Sequence, residues 1–150
     1  MITLLDSNIL IHAANAASHA HDTAKRLRDQ AVEGILPSCL TPQILWEFYA
    51  VITNARRVDQ PLTQESALRE VQAYVQATQI ALLLPRRSAV ERTLSFLARH
   101  RVRGLRIFDL FLIATMLDHG VRRIYTENVE DFQGFREIEA INPFTSQVAA

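Results

Sequence analysis

The stretch that decides the fold is Arg106-Ile-Phe-Asp-Leu-Phe-Leu-Ile-Ala-Thr-Met-Leu117. From Ile107 onward it is apolar on every helical face except at Asp109 and Thr115, a pattern typical of a helix buried in the interior. A carboxylate there loses its hydration, and it stays charged only if a cation, hydrogen-bond donors or a metal ion replaces the water. Asp109 is therefore the first candidate functional residue, and the rest of the chain must supply its partners.

The composition is typical of one soluble globular domain. The chain has 150 residues, of which 49% are hydrophobic and 21% are charged. At this length a single core buries roughly two-thirds of the surface of the unfolded chain, so we expect residues 1–150 to form one domain. The formal net charge is zero, which by itself predicts neither a nucleic-acid nor a membrane partner.

Cysteine usage and the lack of long apolar runs indicate the compartment. The one cysteine, Cys39, cannot form an internal disulfide, which fits a reducing environment. The segment from Met1 to Asp6 lacks a basic leader and reaches an acid too early for a signal peptide. No apolar run approaches the roughly 20 residues that span a bilayer. We expect a cytoplasmic protein with no membrane partner.

Positive charge is concentrated between Arg86 and Arg106. This segment holds seven arginines and one acid, Glu91, and so carries a formal charge of +6. Arginine suits forked contact with phosphate groups, so the segment is a candidate phosphate-binding surface. The alternative is a solvated helix face, which is what charge runs usually are.

Helices and short strands alternate along the chain. Short apolar runs predict strands at residues 2–5, from Ile35-Leu36 onward, and at 79–84, 123–125 and 138–141. Amphipathic or apolar segments predict helices from Ile9, at about 21–33, 42–56, 64–78 and 88–103, and from 106 to His119-Gly120. Because helices separate successive strands, we expect a mainly parallel sheet with helices on both faces.

The spacing of apolar residues also predicts which helix faces are buried. In the helix at about 64–78, the residues expected on one apolar face are Ala67, Leu68, Val71 and Val75. In the helix at 88–103, the residues expected to face inward are Val90, Leu94, Leu97 and Ala98.

Glu47 is a second carboxylate in a costly place. Thr41-Pro42 begins its helix with the cap and first-turn proline in the preferred order. Ile44 and Val51 lie three and four positions from Glu47, so the glutamate points at an apolar side of the helix. A glutamate side chain can extend to water more readily than an aspartate can. The apolar neighbours nevertheless favour burial of Glu47 over its exposure.

Further polar residues lie at the ends of predicted strands. Asp6 follows the first strand, and the acidic segment from Thr126 to Asp131 follows the strand at 123–125. In open α/β sheets, ligands bind at the carboxyl ends of the strands. The alternative for Asp6 is a helix cap with no further role.

Carboxylates that converge in a low-dielectric site repel each other, so they require protonation or a bound cation. Oxygen ligands without cysteine or histidine at recognisable spacing favour Mg²⁺ or Mn²⁺ over zinc. Such a cation orients a phosphate and activates a water molecule. Spacing alone leaves open whether the segments that carry Asp6, Glu47, Asp109 and Asp131 meet.

Several other kinds of site are excluded. The four glycines are scattered, so the chain has neither a P-loop nor a dinucleotide fingerprint and we expect no nucleotide cofactor. Neither a G-x-S-x-G elbow nor an H-E-x-x-H pair is present. Asp6 is followed by Ser-Asn, without a second aspartate two residues on, which argues against the aspartyl-phosphate phosphatases.

Taken together, four motifs in order resemble a known family, the PIN domains, and specifically the VapC-type toxins. The motifs are Asp6-Ser7-Asn8 after a strand, Glu47 in an apolar helix, Asp109 before Leu-Phe-Leu-Ile-Ala, and Thr126-x-Asn128-x-x-Asp131-Phe132. The resemblance covers almost the whole chain. It implies a three-layer α/β/α sandwich with a mainly parallel central sheet. It also implies an endoribonuclease, dependent on Mg²⁺ or Mn²⁺, that acts as the toxin of a type II toxin–antitoxin pair.

The resemblance assigns roles to individual residues. Asp6, Glu47 and Asp109 match the three acids of the family's metal site, where an activated water hydrolyses the RNA phosphodiester. Ser7 and Thr126 match the hydroxyl positions that support this site.

The fourth acidic position departs from the family pattern. Many members carry an aspartate two residues after the threonine, and this chain has Asn128 there. Asn128 remains a candidate catalytic and metal-binding residue, and Asp131 is a candidate for the missing charge. One negative charge fewer weakens the binding of a second metal ion.

The resemblance implies an RNA substrate, a homodimer and a cognate VapB-type antitoxin that covers the acidic site. The candidate RNA-binding residues are Arg99, Arg101, Arg103 and Arg106. Two alternatives stay open. Asn128 favours a catalytically inactive PIN-fold module that binds RNA or protein, and a flap-type DNA nuclease needs more acids and insertions than this chain offers.

Overall fold

A computed structural model describes residues 1–145 and shows a five-stranded sheet with helices packed around it. The strands are β1 (Thr3–Leu5), β2 (Ser38–Leu40), β3 (Ile80–Leu82), β4 (Arg123–Tyr125) and β5 (Glu139–Ile141). The helices are α1 (Ser7–Ala14), α2 (His21–Val32), α3 (Pro42–Ile52), α4 (Gln64–Gln76), α5 (Arg87–Arg99) and α6 (Arg106–Asp118). A short 3-10 helix, Val129–Phe132, precedes β5.

The strand order is β3-β2-β1-β4-β5, and every neighbouring pair is parallel. The predicted α/β/α sandwich is confirmed.

The centre of the sheet brings the carboxyl ends of β1 and β4 side by side. Leu4 pairs with Cys39 on one side and with Ile124 on the other, and all three side chains are fully buried. Strands covered on both faces carry apolar residues throughout, which is why these short segments read as continuous hydrophobic runs. The chain leaves β1 at Asp6 and β4 at Thr126, so these two residues emerge at the same edge.

Helix α6 is the buried helix that the opening stretch predicts. Leu110, Ile113, Ala114 and Met116 are each at most 2% exposed. Its first turn differs, because Phe108 is 50% exposed. The apolar helix therefore runs from the core to the surface, and Asp109 lies where it reaches the surface.

The predicted start of the second strand and the predicted end of the third helix are wrong. The second strand does not begin at Ile35-Leu36, where Ile35 is 67% exposed, because Gly34 turns the chain with a φ of 78° before β2 starts at Ser38. Helix α3 ends at Ile52, four residues earlier than predicted. The Thr53 hydroxyl donates to the Tyr49 carbonyl at 2.7 Å, which satisfies a carbonyl of the last turn.

The predicted apolar face of α4 is also only partly correct. Ala67 and Val71 are buried, whereas Leu68 and Val75 are 50% and 51% exposed. Tyr74 is buried beside Phe48 with ring centroids 6.1 Å apart. This aromatic contact directs the Ala67, Val71 and Tyr74 face inward and turns Leu68 and Val75 outward.

Helix α5 buries a different face from the one predicted. It ends at Arg99 and not at about residue 103, and its predicted inward residues Val90, Leu94 and Leu97 are 49%, 62% and 38% exposed. Ala98 is exposed as well.

The inward residues of α5 are Ala89, Thr93 and Phe96. Phe96 packs against Phe135 with ring centroids 5.3 Å apart, and this contact sets the rotation of the helix. The Thr93 hydroxyl donates to the Ala89 carbonyl at 2.7 Å, so a polar side chain is buried with its hydrogen bond made. A stripe of leucine and valine on α5 is left on the surface.

Two further observations concern membrane-spanning helices and cysteine chemistry. Within residues 1–145, no helix is both long and apolar enough to cross a bilayer. Cys39 is fully buried in β2, and burial raises the pKa of its thiol to about 12. Cys39 is therefore a core residue and not a nucleophile at neutral pH.

Candidate active site

Asp6 is the most tightly held acid at this sheet edge. It is 9% exposed, and it caps α1 by accepting a hydrogen bond from Ser7 N at 2.7 Å. Thr126 donates its hydroxyl proton to Asp6 Oδ2 at 2.6 Å, and Asn8 Nδ2 lies 3.3 Å from the same oxygen. Burial raises the pKa of Asp6, while the hydrogen bonds from Thr126, Ser7 and Asn8 lower it. Asp6 is thus both a helix cap and a residue of the acidic cluster.

Glu47 reaches the cluster from α3. Gln43, one helical turn earlier, donates from Nε2 to Glu47 Oε1 at 3.1 Å. Burial raises the pKa of Glu47, and the negative charge of Asp6 raises it further. Hydrogen bonds from the side chains of Gln43 and Ser7 act in the opposite direction. Ser7 and Thr126 therefore each contact an acid of this cluster, and their supporting role stays a prediction.

Asp109 enters the cluster from the first turn of α6. Burial is the main reason that its pKa rises from 3.8 to about 6, and the charges of Asp131, Asp6 and Glu47 add to the rise. Arg106, one turn earlier, lowers the pKa. Four carboxylates from four separate segments are thus close enough to influence one another.

The segment after β4 supplies the fourth side of the site. Asn128 N donates to Thr126 Oγ1 at 3.0 Å, which turns the chain immediately after β4. Asp131 follows in the 3-10 helix, and its charge raises the pKa of both Asp6 and Asp109. Asn128 and Asp131 both face the site.

One open cavity of about 550 Å³ joins these segments. Its polar lining consists of Asp6, Ser7, Asn8, His12, Glu47, Arg57, Asp109, Glu127, Asn128 and Asp131. The segments that carry Asp6, Glu47, Asp109 and Asp131 therefore meet in the folded chain. Every predicted acid of the site lines this cavity, and so does Asn128.

The structure gives Asn8, a member of the Asp6-Ser7-Asn8 motif, contacts at this site, and it adds His12 and Arg57, which the sequence pattern did not indicate. Asn8 accepts from Glu127 N at 3.1 Å through Oδ1, while its Nδ2 group lies 3.3 Å from both Asp6 Oδ2 and Thr126 Oγ1. His12 Nε2 lies 3.0 Å from Glu127 Oε2. Arg57 lines the cavity from the turn after α3. The position of Asn8 two residues after Asp6 was the only available sequence signal, since the other contacts are long-range.

The four candidate RNA-binding arginines lie in different places. Arg106 donates from Nη2 to the Asp131 carbonyl at 3.2 Å and lies beside the acidic cluster. Arg99 lies over the ring of Phe96, 5.5 Å from its centroid. Arg101 and Arg103 line a separate cavity. Of these four arginines, Arg106 is the one that reaches the acids.

The residues suit a hard divalent cation in their chemistry. Within residues 1–145, no three His, Cys, Asp or Glu side chains are already arranged as a metal-ligand group. The lining nevertheless supplies carboxylate and amide oxygens, the ligands preferred by Mg²⁺ and Mn²⁺. The carboxylates also raise one another's pKa, so their repulsion is not fully compensated. A divalent cation supplies the charge that such a cluster lacks.

Fold and site together define a parallel α/β/α domain with an acid-lined cavity at the carboxyl edge of its sheet. The family model of the PIN domain matches residues 3–138, which is most of the chain. The chain belongs to the PIN-domain family.

Curated relatives extend along nearly the whole chain. Ribonuclease VapC24 of Mycobacterium tuberculosis is 28% identical over 142 residues, which cover 95% of this chain and 97% of the relative. Ribonuclease VapC48 of the same organism is 26% identical over an alignment 151 residues long, which covers 97% of this chain and 99% of the relative.

Solved structures share the fold at lower identity. VapC20 of Mycobacterium tuberculosis, described as a Sarcin-Ricin loop cleaving toxin, superposes with a TM-score of 0.68 at 20% identity, covering 90% of this chain and 95% of VapC20. VapBC-1 from nontypeable Haemophilus influenzae gives a TM-score of 0.61 at 19% identity, covering 95% of this chain and 98% of the other. At these identities the likeness establishes the fold alone.

Proposed function

We propose that this chain is an endoribonuclease, dependent on Mg²⁺ or Mn²⁺, and the toxin of a type II toxin–antitoxin pair of the VapBC kind. The observation that carries the proposal is the convergence of Asp6, Glu47, Asp109 and Asp131 on one cavity. The relatives named as ribonucleases VapC24 and VapC48 support both the reaction and the toxin class.

Asp6, Glu47 and Asp109 are the residues that we assign to the metal ion, with Asn128 or Asp131 completing the set. When bound, a divalent cation at such a site polarises the phosphate and lowers the pKa of a water molecule. RNA hydrolysed by a water activated in this way would carry 3′-hydroxyl and 5′-phosphate ends.

The contribution of the protein is to hold its acids in place. Thr126 and Ser7 fix one oxygen each of Asp6, so this carboxylate cannot rotate away from the cavity. Gln43 holds one oxygen of Glu47. Arg106 offsets part of the negative charge at Asp109. These contacts orient the ligands before the ion and the substrate arrive.

The partners are part of the proposal. A VapB-type antitoxin binds over the acidic cavity, and the solved VapBC complexes of the same fold support such a partner. A second copy of the chain packs on the exposed α5 stripe of Val90, Leu94 and Leu97, because leucine and valine on one helix face are normally covered. The pair acts in the cytoplasm, where the single buried Cys39 needs no disulfide partner.

The test is cleavage by purified, antitoxin-free protein of a mixed pool of structured cellular RNA. Reactions contain EDTA, Mg²⁺ or Mn²⁺, and compare the wild type with Asp6→Asn, Asp109→Asn and the exposed control Asp59→Asn. We expect metal-dependent cleavage that both site variants lose and the control keeps. Circular dichroism shows whether each variant is folded.

Three results would contradict this proposal. A folded protein that binds metal but cuts no RNA indicates the inactive binding module, and cleavage of branched DNA alone indicates the flap-type nuclease. Cleavage in EDTA that leaves 2′,3′-cyclic phosphate excludes the metal mechanism.

A further inference from the structure

Glu47 and Asp109 belong to different helices, yet both line the acidic cavity and a second cavity beside it, a groove of about 910 Å³. The lining of this groove includes Gln43, Trp46 and Phe108. Two negative charges that are brought together from separate helices repel each other. Contacts that join α3 to α6 beside these two acids therefore help to fix their separation.

The first turn of α6, which carries Asp109, has no side-chain cap. Leu105 precedes the helix, is 82% exposed and forms no side-chain cap hydrogen bond. The turn is instead held by bonds of the tighter 3-10 type, in which Ile107 N donates to the Gly104 carbonyl at 3.2 Å and Phe108 N donates to the Leu105 carbonyl at 3.1 Å. A helix that starts without a cap loses about 1 kcal/mol of stability. The position of Asp109 thus depends on contacts from other segments.

Gln43 joins this turn to α3. Its Nε2 atom donates to Glu47 Oε1 at 3.1 Å and to the Phe108 carbonyl at 3.2 Å. The Phe108 carbonyl and the Asp109 N–H belong to the same peptide unit. One amide group therefore contacts one acid directly and the backbone next to the other acid.

The two partners of Gln43 determine which side chain can form this bridge. An ionised carboxylate and a carbonyl group both only accept hydrogen bonds, so the bridging atom must carry two hydrogens. Among uncharged side chains, the amides of asparagine and glutamine meet this requirement. Lysine and arginine also carry several hydrogens, but their positive charge opposes the binding of a cation nearby. A glutamine supplies both hydrogen bonds and leaves the charge of the site unchanged.

A second contact holds the same turn but does not link two acids. Arg106 Nη2 donates to the Asp131 carbonyl at 3.2 Å, which joins the turn to the 3-10 helix. The acceptor is a backbone group, and the arginine side chain is exposed. The contact from Gln43 differs because its other partner is the Glu47 carboxylate.

We propose that Gln43 is a positioning residue that fixes the first turn of α6 against α3 and so sets the separation of Glu47 and Asp109 for a divalent cation. The inference rests on the proposed function and deepens it, because it makes metal affinity depend on a residue outside the acids. A hydrogen bond to an ionised carboxylate favours the charged form, which is the form that binds metal. Partners of this kind typically contribute roughly ten- to a hundredfold to metal affinity.

The main test is metal binding in the absence of RNA. Gln43→Met nearly keeps the length of the side chain and removes both hydrogen-bond donors. Gln72→Met makes the same change at an exposed position of α4 and is the control. Electron paramagnetic resonance of free Mn²⁺ gives the Kd of each protein. We expect the Kd to rise about tenfold in Gln43→Met and to match the wild type in the control.

A second measurement needs neither metal nor RNA. Hydrogen exchange in EDTA follows the backbone amides of residues 107–110 in the first turn of α6. We expect these amides to exchange about fivefold faster in Gln43→Met, because one hydrogen bond that holds the turn is lost. The amides in the middle of α4 should keep their wild-type rates, which shows that the rest of the fold is intact.

Cleavage kinetics separate positioning of the metal from binding of the substrate. At limiting Mn²⁺ we expect kcat of Gln43→Met to fall about tenfold, with a KM for RNA near that of the wild type. Because the acids themselves are still present, a higher concentration of Mn²⁺ should restore kcat. The same addition should not restore Asp6→Asn, which lacks one of the acids.

The outcomes distinguish this inference from the ribonuclease assignment. Weaker Mn²⁺ binding and faster exchange in Gln43→Met, with no RNA cleavage by the wild type, retain the positioning role and remove the proposed enzymatic function. Metal-dependent cleavage by the wild type, with unchanged Mn²⁺ affinity and unchanged exchange in Gln43→Met, overturns the positioning role alone. A wild type that binds no Mn²⁺ overturns both.

Discussion

Asn8 and Glu127 lie 119 positions apart in the chain, and the Asn8 side chain accepts a hydrogen bond from Glu127 N at 3.1 Å. The same side chain reaches Asp6 and Thr126 through its amide nitrogen. Asn8 thus ties the start of α1 to the segment that carries Asn128. The alignment of the two strand ends rests on this side chain as well as on the sheet itself.

Substitution Asn8→Ala is expected to loosen the segment after β4 and so to misplace Asn128. Losing these partly buried hydrogen bonds should cost about 1–2 kcal/mol in the free energy of unfolding. We expect kcat for RNA cleavage to fall about tenfold, because catalysis depends on precise placement of the site. Unfolding in urea and single-turnover cleavage measure the two effects. Asn15→Ala, which removes only a local contact to Ala17 N, is the control and should leave kcat unchanged.

Stability should depend on pH through Asp109. Its folded pKa of about 6 exceeds its ordinary value of 3.8, so the folded protein binds this proton more tightly than the unfolded chain does. The protonated Asp109 carboxyl therefore adds to the free energy of unfolding at low pH, and this contribution is lost as the pH rises from about 4 to 6. The Asp109→Asn variant should be more stable than the wild type at pH 8 by about 1 kcal/mol, a figure reduced because the side chain is partly exposed.

Urea unfolding in EDTA at a series of pH values measures this difference. The gain from Asp109→Asn should vanish only below pH 3.8, the ordinary pKa of the carboxyl, where the wild-type side chain is protonated in both states. Asp59→Asn removes an exposed aspartate outside both cavities and is the control. A gain that stays constant from pH 4 to pH 8 would show that charge repulsion at Asp109 is not its source.

Divalent metal should stabilise the wild type. A ligand at 100 times its dissociation constant stabilises the folded state by about 2.7 kcal/mol, so Tm should rise with added Mn²⁺ or Mg²⁺ and not with Na⁺ at equal ionic strength. Asp6→Asn should abolish most of the increase, since it removes the most buried acid of the cluster. Glu65→Gln, at the exposed start of α4, should keep it. Differential scanning calorimetry makes the comparison, and an equal increase in both variants would place the metal elsewhere.

Arginine contacts with RNA should differ between the acidic cavity and the segment that follows α5. Arg57→Ala is expected to raise KM for RNA and to reduce the slope of log affinity against log salt by about 1, because one phosphate contact is lost. Arg101→Ala should change either quantity little, since Arg101 lines a separate cavity. Filter binding at several salt concentrations gives both slopes. If Arg101→Ala weakens RNA binding and Arg57→Ala does not, the RNA-binding residues lie in the segment between Arg86 and Arg106.

The exposed stripe on α5 should mediate self-association. Leu94 is 62% exposed in the middle of this stripe, and Leu94→Asp places a charge where a second copy is proposed to pack. We expect light scattering to show a dimer for the wild type and a monomer for the variant. Val75→Asp, on α4, serves as the control and should remain dimeric. A monomeric wild type at micromolar concentration contradicts the homodimer.

Local pattern was sufficient for the order and type of most elements. Asp109 and Glu47 stand out because a carboxylate in an apolar helical run is costly wherever that helix packs. Parallel pairing of the strands follows from the helices between them, and the structure confirms it. The catalytic and metal-binding roles of Asp6, Glu47, Asp109, Asn128 and Asp131 stay predictions until cleavage is measured.

The local sequence pattern did not predict the rotation of α5 about its own axis. The sequence pattern predicts that Val90, Leu94 and Leu97 of α5 face inward, whereas Phe96 occupies the core beside Phe135. Helix α5 carries leucines on one side and Phe96 on another, and either side is apolar enough to pack against the core. The contact of Phe96 with Phe135, which lies far along the chain, determines which side is buried. The sequence of α5 alone does not specify this contact.

The sequence by itself determined the element order, the buried character of α6 and which acids are costly to bury, because these depend on short-range periodicity and on the cost of burying charge. The meeting of these acids in one cavity was decided by the tertiary structure. Only the tertiary structure decided that Arg57 lies at the acidic cavity while Arg101 does not, and that Trp46 and Phe108 form one groove. These relations join residues of separate elements. They depend on how each element is rotated and packed, which no local pattern of residues specifies.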